Sequence, residues 1–353
     1  MKKLLRTILL IINLILTAAL ILSTLAGVLP PSRWVAVSLL SYGFVPLAMA
    51  NVLCVVVWLC RSRWEFLISA AGLVATFPTM GLFCQVGGTQ SVEPAEGQLK
   101  VMTFNTHGFN GRDDDTLMTA DSGALLFLHL IDDVQPDVLC LQEFANAPHI
   151  KVTDSLVARG YKNHYGVHGA NSYHPSVLFA RCKIRGGKEM DKRSKFYADL
   201  EHEGRAFRVC SVHLDSYQLS DKDMEGFESL THAKPDSNTH HLLRRFAATT
   251  RRHEKAWRRQ LLPLIEETKT PLIIAGDFND TPASYICQHL RKHLTDPFTQ
   301  EGRGLSATYH GPYPAYRIDY IFHSRQWHTL AYRCIKTPIS DHYPVVVTID
   351  TTS

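Results

Sequence analysis

The chain has 353 residues, 45% of them hydrophobic and 20% charged, with a formal net charge of +4. That length exceeds one average domain and accommodates a large α/β domain with an appendage. Residues 1–90 hold six of the 37 basic residues and one of the 33 acidic ones, leaving 31 and 32 beyond, so the larger part is near neutral and a domain-wide basic field for nucleic acid is excluded.

The first elements are apolar. Residues 4–29, 34–60 and 66–86 are hydrophobic runs, the second without a charge and the third interrupted by Pro78. Each reaches the ~20 residues that cross a bilayer core, which predicts three transmembrane helices and a lipid bilayer as partner. A cleavable signal peptide is the alternative for the first run alone. Lys2, Lys3 and Arg6 precede the first run and Arg61 and Arg63 follow the second, whereas only Arg33 lies between those two. The positive-inside rule then puts the N-terminus and the 61–63 loop in the cytoplasm, and three crossings put the rest of the chain on the extracytoplasmic side.

Residues 87–98, "GGTQSVEPAEGQ", have linker composition. From residue 99 to the end, short apolar runs alternate with helical patterns. Strands are predicted at 99–105, 137–143, 176–180, 206–214, 271–277, 318–322 and 344–349, and helices at 122–134 and roughly 240–268, the latter kinked or ended by Pro263. Residues 217–239 are charged and weakly periodic and read as an insertion. The five cysteines of this part, Cys140, Cys182, Cys210, Cys287 and Cys334, lack the spacing of a zinc site or a disulfide framework.

The ends of these strands carry the chemistry. Strand 99–105 ends on Asn105, 137–143 on Gln142 and Glu143, 206–214 presents His213 followed by Asp215, and 271–277 delivers Asp277 with Asn279 beyond. Asp319 opens a further strand, and Asp341 and His342 precede the last. Each alone is an ordinary turn residue. Repeated at six strand ends, they point to one shared site at a sheet edge.

The segments "TFNTHG", "LCLQEF", "SVHLD", "GDFND", "RIDYIF" and "SDHYPV", in that order, resemble the endonuclease/exonuclease/phosphatase superfamily. That superfamily includes DNase I, apurinic endonucleases, neutral sphingomyelinases and inositol polyphosphate 5-phosphatases. The layout, spans ahead of such a domain, is similar to membrane-anchored bacterial members, which places the protein in a bacterial inner membrane. The resemblance implies a DNase I-like α/β fold, a four-layer αββα sandwich, and a hydrolase acting on phosphate esters with Mg²⁺ or alternatively Mn²⁺. It assigns Glu143 as the principal metal ligand, with Asn105 and Asp341 beside it. It makes His342 a base or phosphate ligand oriented by Asp319, gives Asp277 the attacking water, and puts Asn279 and His213 on the phosphoryl oxygens. The residue types suit the reaction, since Mg²⁺ prefers oxygen ligands and one or two carboxylates suffice to bind it.

Which of His213, Asp277 and His342 takes the proton stays open at this level. His107, Asp215 and Arg317 read as supporting or solvated residues, and the acidic run 112–115 as a solvated loop. "SVHLD" departs from the apurinic endonucleases, and Ala275 and Phe278 depart from the inositol phosphatases. The arginine-rich stretch 240–260 suits anionic lipid headgroups or a nucleic-acid backbone equally, or a solvated helix face. A lipid-headgroup phosphoesterase is the expected function. An extracytoplasmic nuclease is the competitor, and an inactive binding module on the same fold is the reading outside enzymes.

Overall fold

The computed structural model describes residues 2–113, 116–166, 175–191, 194–217, 237–305, 307–311 and 316–352. Most of the expected insertion and half of the acidic run 112–115 lie outside the described residues. The chain divides into two compact units: residues 84–214, 259–280 and 290–353 form one, and residues 1–83, 215–258 and 281–289 the other.

The larger unit is an α/β sandwich of two sheets, the fold the resemblance implies. The first sheet runs β13 (His328–Cys334), β14 (Val345–Asp350), β1 (Gln98–Asn105), β4 (Val138–Gln142), β6 (Val177–Ala180), β5 (Asn163–Gly166). The second runs β11 (Leu294–Thr295), β12 (Asp319–Ser324), β10 (Leu272–Asp277), β9 (Arg205–His213), β8 (Phe196–His202), β7 (Lys183–Glu189). A two-strand hairpin, β2 (Arg112–Asp113) with β3 (Thr116–Leu117), stands apart.

Successive side chains of a strand face opposite ways. Leu99 and Val101, Val138 and Cys140, Phe207 and Val209, Ile273 and Ala275, and Ile321 therefore point between the sheets, where they form the main core. On the other face of the first sheet, Met102, Phe104, Leu139 and Leu141 meet Phe127, Leu128 and Ile131 of the helix Ala120–Val134. That helix starts where the Thr119 hydroxyl accepts from the Ser122 amide. Each large apolar side chain so buried contributes about 1.5–3 kcal/mol.

In the smaller unit the helices Lys2–Leu25, Phe44–Cys60 and Phe66–Met80 pack together. Their interior is polar and hydrogen-bonded. Asn13 donates to the Glu65 carbonyl (3.1 Å), the Thr17 hydroxyl to Asn51 (2.7 Å), the Ser69 hydroxyl to Asn13, and Asn51 to the Leu47 carbonyl (2.9 Å). Their outer surface is apolar, with Val74 75% and Phe77 71% exposed. An apolar outside with hydrogen-bonded polar groups inside is the arrangement that lipid demands, and the buried Glu65 Oε2 is an exception without a partner among the described residues.

Two segments, Lys3–Leu25 and Val35–Cys60, are long and apolar enough to cross a bilayer. The third expected span is corrected: the helix covers only Phe66–Met80, 15 residues, rather than 66–86. Pro78 has no N–H for the carbonyl one turn back, and the helix ends two residues later. The long arginine-rich helix is likewise interrupted, running Ser237–Ala256, then a wider turn at Trp257–Leu261, then Leu262–Glu267. Pro263 cannot donate to the carbonyl at 259, which accounts for the break.

Candidate active site

Register brings the polar strand ends together. In the second sheet His213, Asp277 and Asp319 pair side by side across three strands, and in the first Asn105 pairs with Gln142. By the two-residue alternation all five face the space between the sheets, continuing the apolar core into a polar end. Gly276 makes the approach of β10 to β9 feasible. Its φ is +149° and a Cβ there would overlap the Val212 carbonyl.

Asp277 is the hub and is 1% exposed. The Asn105 amide donates to its Oδ2 at 3.0 Å, as does the Asn279 amide at 3.1 Å, and the Asn279 backbone N–H donates to Oδ1 at 2.8 Å. Asn279 holds this turn with φ +48° and also donates to the Leu214 carbonyl at 3.1 Å. His213 Nε2 lies 3.7 Å from both Asp277 Oδ2 and Glu143 Oε1, and His342 Nε2 lies 3.8 Å from Asp277 Oδ2. These three separations are too long for direct hydrogen bonds. Asp319, fully buried, holds His342 Nδ1 at 2.9 Å, and its own Oδ1 has no hydrogen-bond partner among the described residues.

Electrostatics divides the labour. Burial pushes the Asp277 carboxyl up, His342 pulls it down and Asp319 pushes it up again, leaving it at about 7. Burial pushes the His342 imidazole down, but the carboxylates of Asp319 and Asp277 outweigh it and raise it to about 10. Asp277 is thus close to its proton-transfer point near neutral pH, and His342 is cationic.

Glu143 follows β4 with φ +50° and receives the Asn105 amide at 3.3 Å. Its Oε2 lies 3.5 Å from His107 Nδ1, and Asp341 Oδ1 lies 3.8 Å from the same nitrogen. Both carboxylates are more open than Asp277, with side chains 18% and 32% exposed. Of the residues singled out at the strand ends, Asn105, Glu143, His213, Asp277, Asn279, Asp319, Asp341 and His342 therefore lie in one contiguous cluster, whereas Asp215 pairs with Arg252 at 3.5 Å.

The roles of other residues differ from their first reading. His107 stands between the Glu143 and Asp341 carboxylates. The Glu143 contact raises its basicity, burial opposes this and Asp341 adds to it. Tyr309 packs edge-on against the His342 ring at 5.3 Å, and nothing in its sequence context announces it. Arg317 belongs to the core: its guanidinium makes a double hydrogen bond to Asp296 (3.0 Å each), with Phe298 and Tyr320 against its faces.

A buried, acid-rich end of a two-sheet sandwich has relatives. The endonuclease/exonuclease/phosphatase family profile matches residues 102–342. The chain belongs to this family. A second profile, a domain of unknown function (DUF8431), matches residues 6–83. No functionally curated protein matches the sequence. Solved structures share the fold. D. rerio TDP2 complexed with single-strand DNA product is 18% identical, covering 72% of this chain and 100% of that one with a TM-score of 0.52. The human Nocturnin catalytic domain with bound sulfate is 18% identical, covering 73% and 96% with a TM-score of 0.50. An endonuclease/exonuclease/phosphatase from Bacteroides vulgatus is 18% identical, covering 71% and 98% with a TM-score of 0.50.

Proposed function

We propose that the protein is a membrane-anchored, divalent-metal-dependent phosphoesterase that hydrolyses a phosphodiester or phosphomonoester by in-line attack of an activated water. One observation carries this reading: Asp277, raised to about 7 and fixed by the Asn105 and Asn279 amides, faces two imidazoles across gaps of 3.7–3.8 Å that a water or a phosphoryl oxygen would bridge.

Two groups of residues could hold a cation. Asp277, Asp319 and His342 present ligand atoms within 4.8 Å of one another. A protonated His342 already supplies positive charge there, which argues against an ion at the same point. Glu143 and Asp341, with the Asn105 amide oxygen, are hard oxygen donors, and the two carboxylates are the more open ones of the cluster. They fit Mg²⁺, with Mn²⁺ as the alternative. The ion, when bound, would supply charge to polarise the phosphoryl group.

The chain's own groups account for the rest. Asp277, fixed by Asn105 and Asn279, accepts the proton of the attacking water. His342, fixed by Asp319, donates to a phosphoryl oxygen and offsets its growing negative charge. His213 donates to a second oxygen from the opposite side. These donors are positioned before the reaction, so little reorganisation is needed. Nuclease action is the second reading, favoured by the DNA product carried by D. rerio TDP2 on the same fold. The complete set of polar groups speaks against an inactive module.

With two segments long enough to cross rather than three, and the basic N-terminus in the cytoplasm, the domain falls on the N-terminal side of the membrane in place of the expected extracytoplasmic side. A reporter fused after residue 353 that was active only outside the cytoplasm would overturn this placement. For the reaction, the full-length protein in detergent is assayed on bis-p-nitrophenyl phosphate with Mg²⁺ or with a chelator. Hydrolysis that survives chelation, or that Asp277→Ala leaves unchanged, would refute the proposal.

A further inference from the structure

The Asp319 carboxylate holds the His342 imidazole through Oδ2 at 2.9 Å, while its Oδ1 has no hydrogen-bond partner among the described residues. A carboxylate with one oxygen unbonded takes its aim from the backbone that carries it. One short segment, residues 307–311, lies outside the strands of both sheets and reaches the backbone on either side of this pair. Thr308, fully buried, accepts at its hydroxyl oxygen from two successive amides, those of Ile318 and Asp319, at 3.0 Å each. Its carbonyl accepts from the Tyr343 amide at 2.6 Å, and the His310 amide donates to the Asp341 carbonyl at 2.9 Å. Tyr309 thereby forms an antiparallel bridge with His342. The Thr308 and Tyr309 amides both donate to the Tyr316 carbonyl, at 3.0 and 2.9 Å.

The residue types suit this double attachment. A hydroxyl oxygen has two lone pairs and can take two amides at once. Valine has the same shape and no acceptor, and would leave two buried N–H groups unpaired at the start of β12. The Tyr309 ring meets the His342 ring edge-on at 5.3 Å and 71°, the orientation that aromatic pairs favour. Gly311 leaves room for that ring, since a Cβ there would overlap the Tyr309 hydroxyl. The His310 ring stacks on Tyr343 at 4.0 Å and 15°, which closes the pairing beyond His342. Backbone and rings together tie residues 318–319 to residues 341–343 through three consecutive side chains.

We propose that Thr308, Tyr309 and His310 form a clasp that sets the reach and direction of the Asp319–His342 pair. Thr308 acts through the backbone of Asp319, Tyr309 through the imidazole ring, and His310 through the chain on either side of His342. They are positioning residues, each working through a neighbour rather than on the phosphoryl group. Their effect on turnover rests on the phosphoesterase reading; their effect on the hydrogen bond within the pair does not. His342 Nε2 has to reach a phosphoryl oxygen while Nδ1 stays on Asp319, and a misplacement of about 1 Å costs on the order of 10²-fold in rate.

The test uses the full-length protein in detergent with Mg²⁺ and bis-p-nitrophenyl phosphate. Thr308→Val is expected to lower kcat per folded molecule about 10- to 100-fold with KM unchanged, and Thr308→Ser, which keeps the hydroxyl, to restore it. A loss confined to KM, or no recovery with serine, would overturn the role of Thr308. In an Asp319→Asn background the valine change is expected to cost nothing further, and an equal loss there would show that Thr308 acts elsewhere. Gly311→Ala leaves the Thr308 hydrogen bonds in place and pushes the Tyr309 ring off the imidazole. It is expected to lower kcat about tenfold, and full activity would remove Tyr309 from the clasp. Without substrate, the His342 Nδ1 proton is followed in nitrogen-15 histidine spectra, identified by its loss in His342→Gln. It is expected to be sharp in wild type and Thr308→Ser and broadened by exchange in Thr308→Val and Gly311→Ala. An unchanged resonance in Thr308→Val would overturn the clasp. A wild-type protein that hydrolyses nothing yet shows these spectral changes would refute the phosphoesterase reading and leave the clasp standing.

Discussion

Two buried polar clusters in this chain differ both in composition and in how closely their groups bond. Between the apolar helices, Asn13, Thr17, Asn51 and Ser69 are neutral and bonded to one another or to carbonyls. At the sandwich end, Asp277, Asp319, His213 and His342 are ionisable, three of their contacts stretch to 3.7–3.8 Å, and one carboxylate oxygen is left without a partner. Burying polar groups costs free energy in both places. Where bonds close, the cost is offset and the result is structure. Where charged groups instead face one another across 3.7–3.8 Å, the spacing suits a bridging water or substrate oxygen. The Arg317–Asp296 pair is the control, charged like the site but closed by a direct double hydrogen bond.

The comparison can be broken at four points. The largest effect is expected from Asp277→Ala, which should lower turnover about 10³-fold, the range of a lost general base, with the thermal midpoint at or above wild type. Stopped assays with a melting curve on the same sample check both, and a fall in stability in step with activity would return Asp277 to the structural class. Arg317→Met should do the reverse. Leaving the buried Asp296 with Arg291 alone, at 3.3 Å, costs up to about 3–5 kcal/mol, read as a shifted denaturation midpoint, while the activity of the folded fraction holds.

Acid should reach the same pair. Burial pushes the Asp296 carboxyl up, but Arg317 and Arg291 outweigh it and hold it below its usual value. The pair therefore stabilises the fold above the unfolded carboxylate range, and that contribution is lost as pH falls through the depressed folded value, below about 4. Melting temperatures of wild type and Asp296→Asn should differ most at pH 7, with the gap narrowing as pH falls below about 4; a constant gap would contradict the assignment. The smallest change is expected from Asn51→Leu in the bundle, about 1 kcal/mol, with no change in turnover per folded molecule. A large loss of activity there would mean that the bundle's polar interior is functional.

Much of this was readable before the structure, for a physical reason. Strands β1, β4, β9, β10, β12 and β14 are buried on both faces and read as continuous apolar runs. Their polar ends stand out because nothing apolar follows. β7 was illegible because "KIRGGKE" is almost wholly exposed and has no pattern to show. β5 is short and β13 is interrupted by a bulge. His107 was undervalued because its place between Glu143 and Asp341 depends on a left-handed turn, φ +44° at His107 and +64° at Phe109, that no local pattern announces. The third apolar run was overread because hydropathy continues past Pro78 whereas backbone hydrogen bonding does not. Arg317 sits inside a family motif, "RIDYIF", yet its partner Asp296 lies 21 residues earlier in an unrelated loop.

Three non-glycine residues around the site, His107, Glu143 and Asn279, hold backbone angles that an L side chain ordinarily avoids. A selection for thermostability alone would tend to replace them with glycine, which adopts those angles without steric cost. Each such replacement would delete a carboxylate, an amide or an imidazole from the cluster around Asp277. Heat-tolerant variants sought by random mutagenesis should therefore gather improvements elsewhere, and these three positions mark where durability and turnover pull in opposite directions.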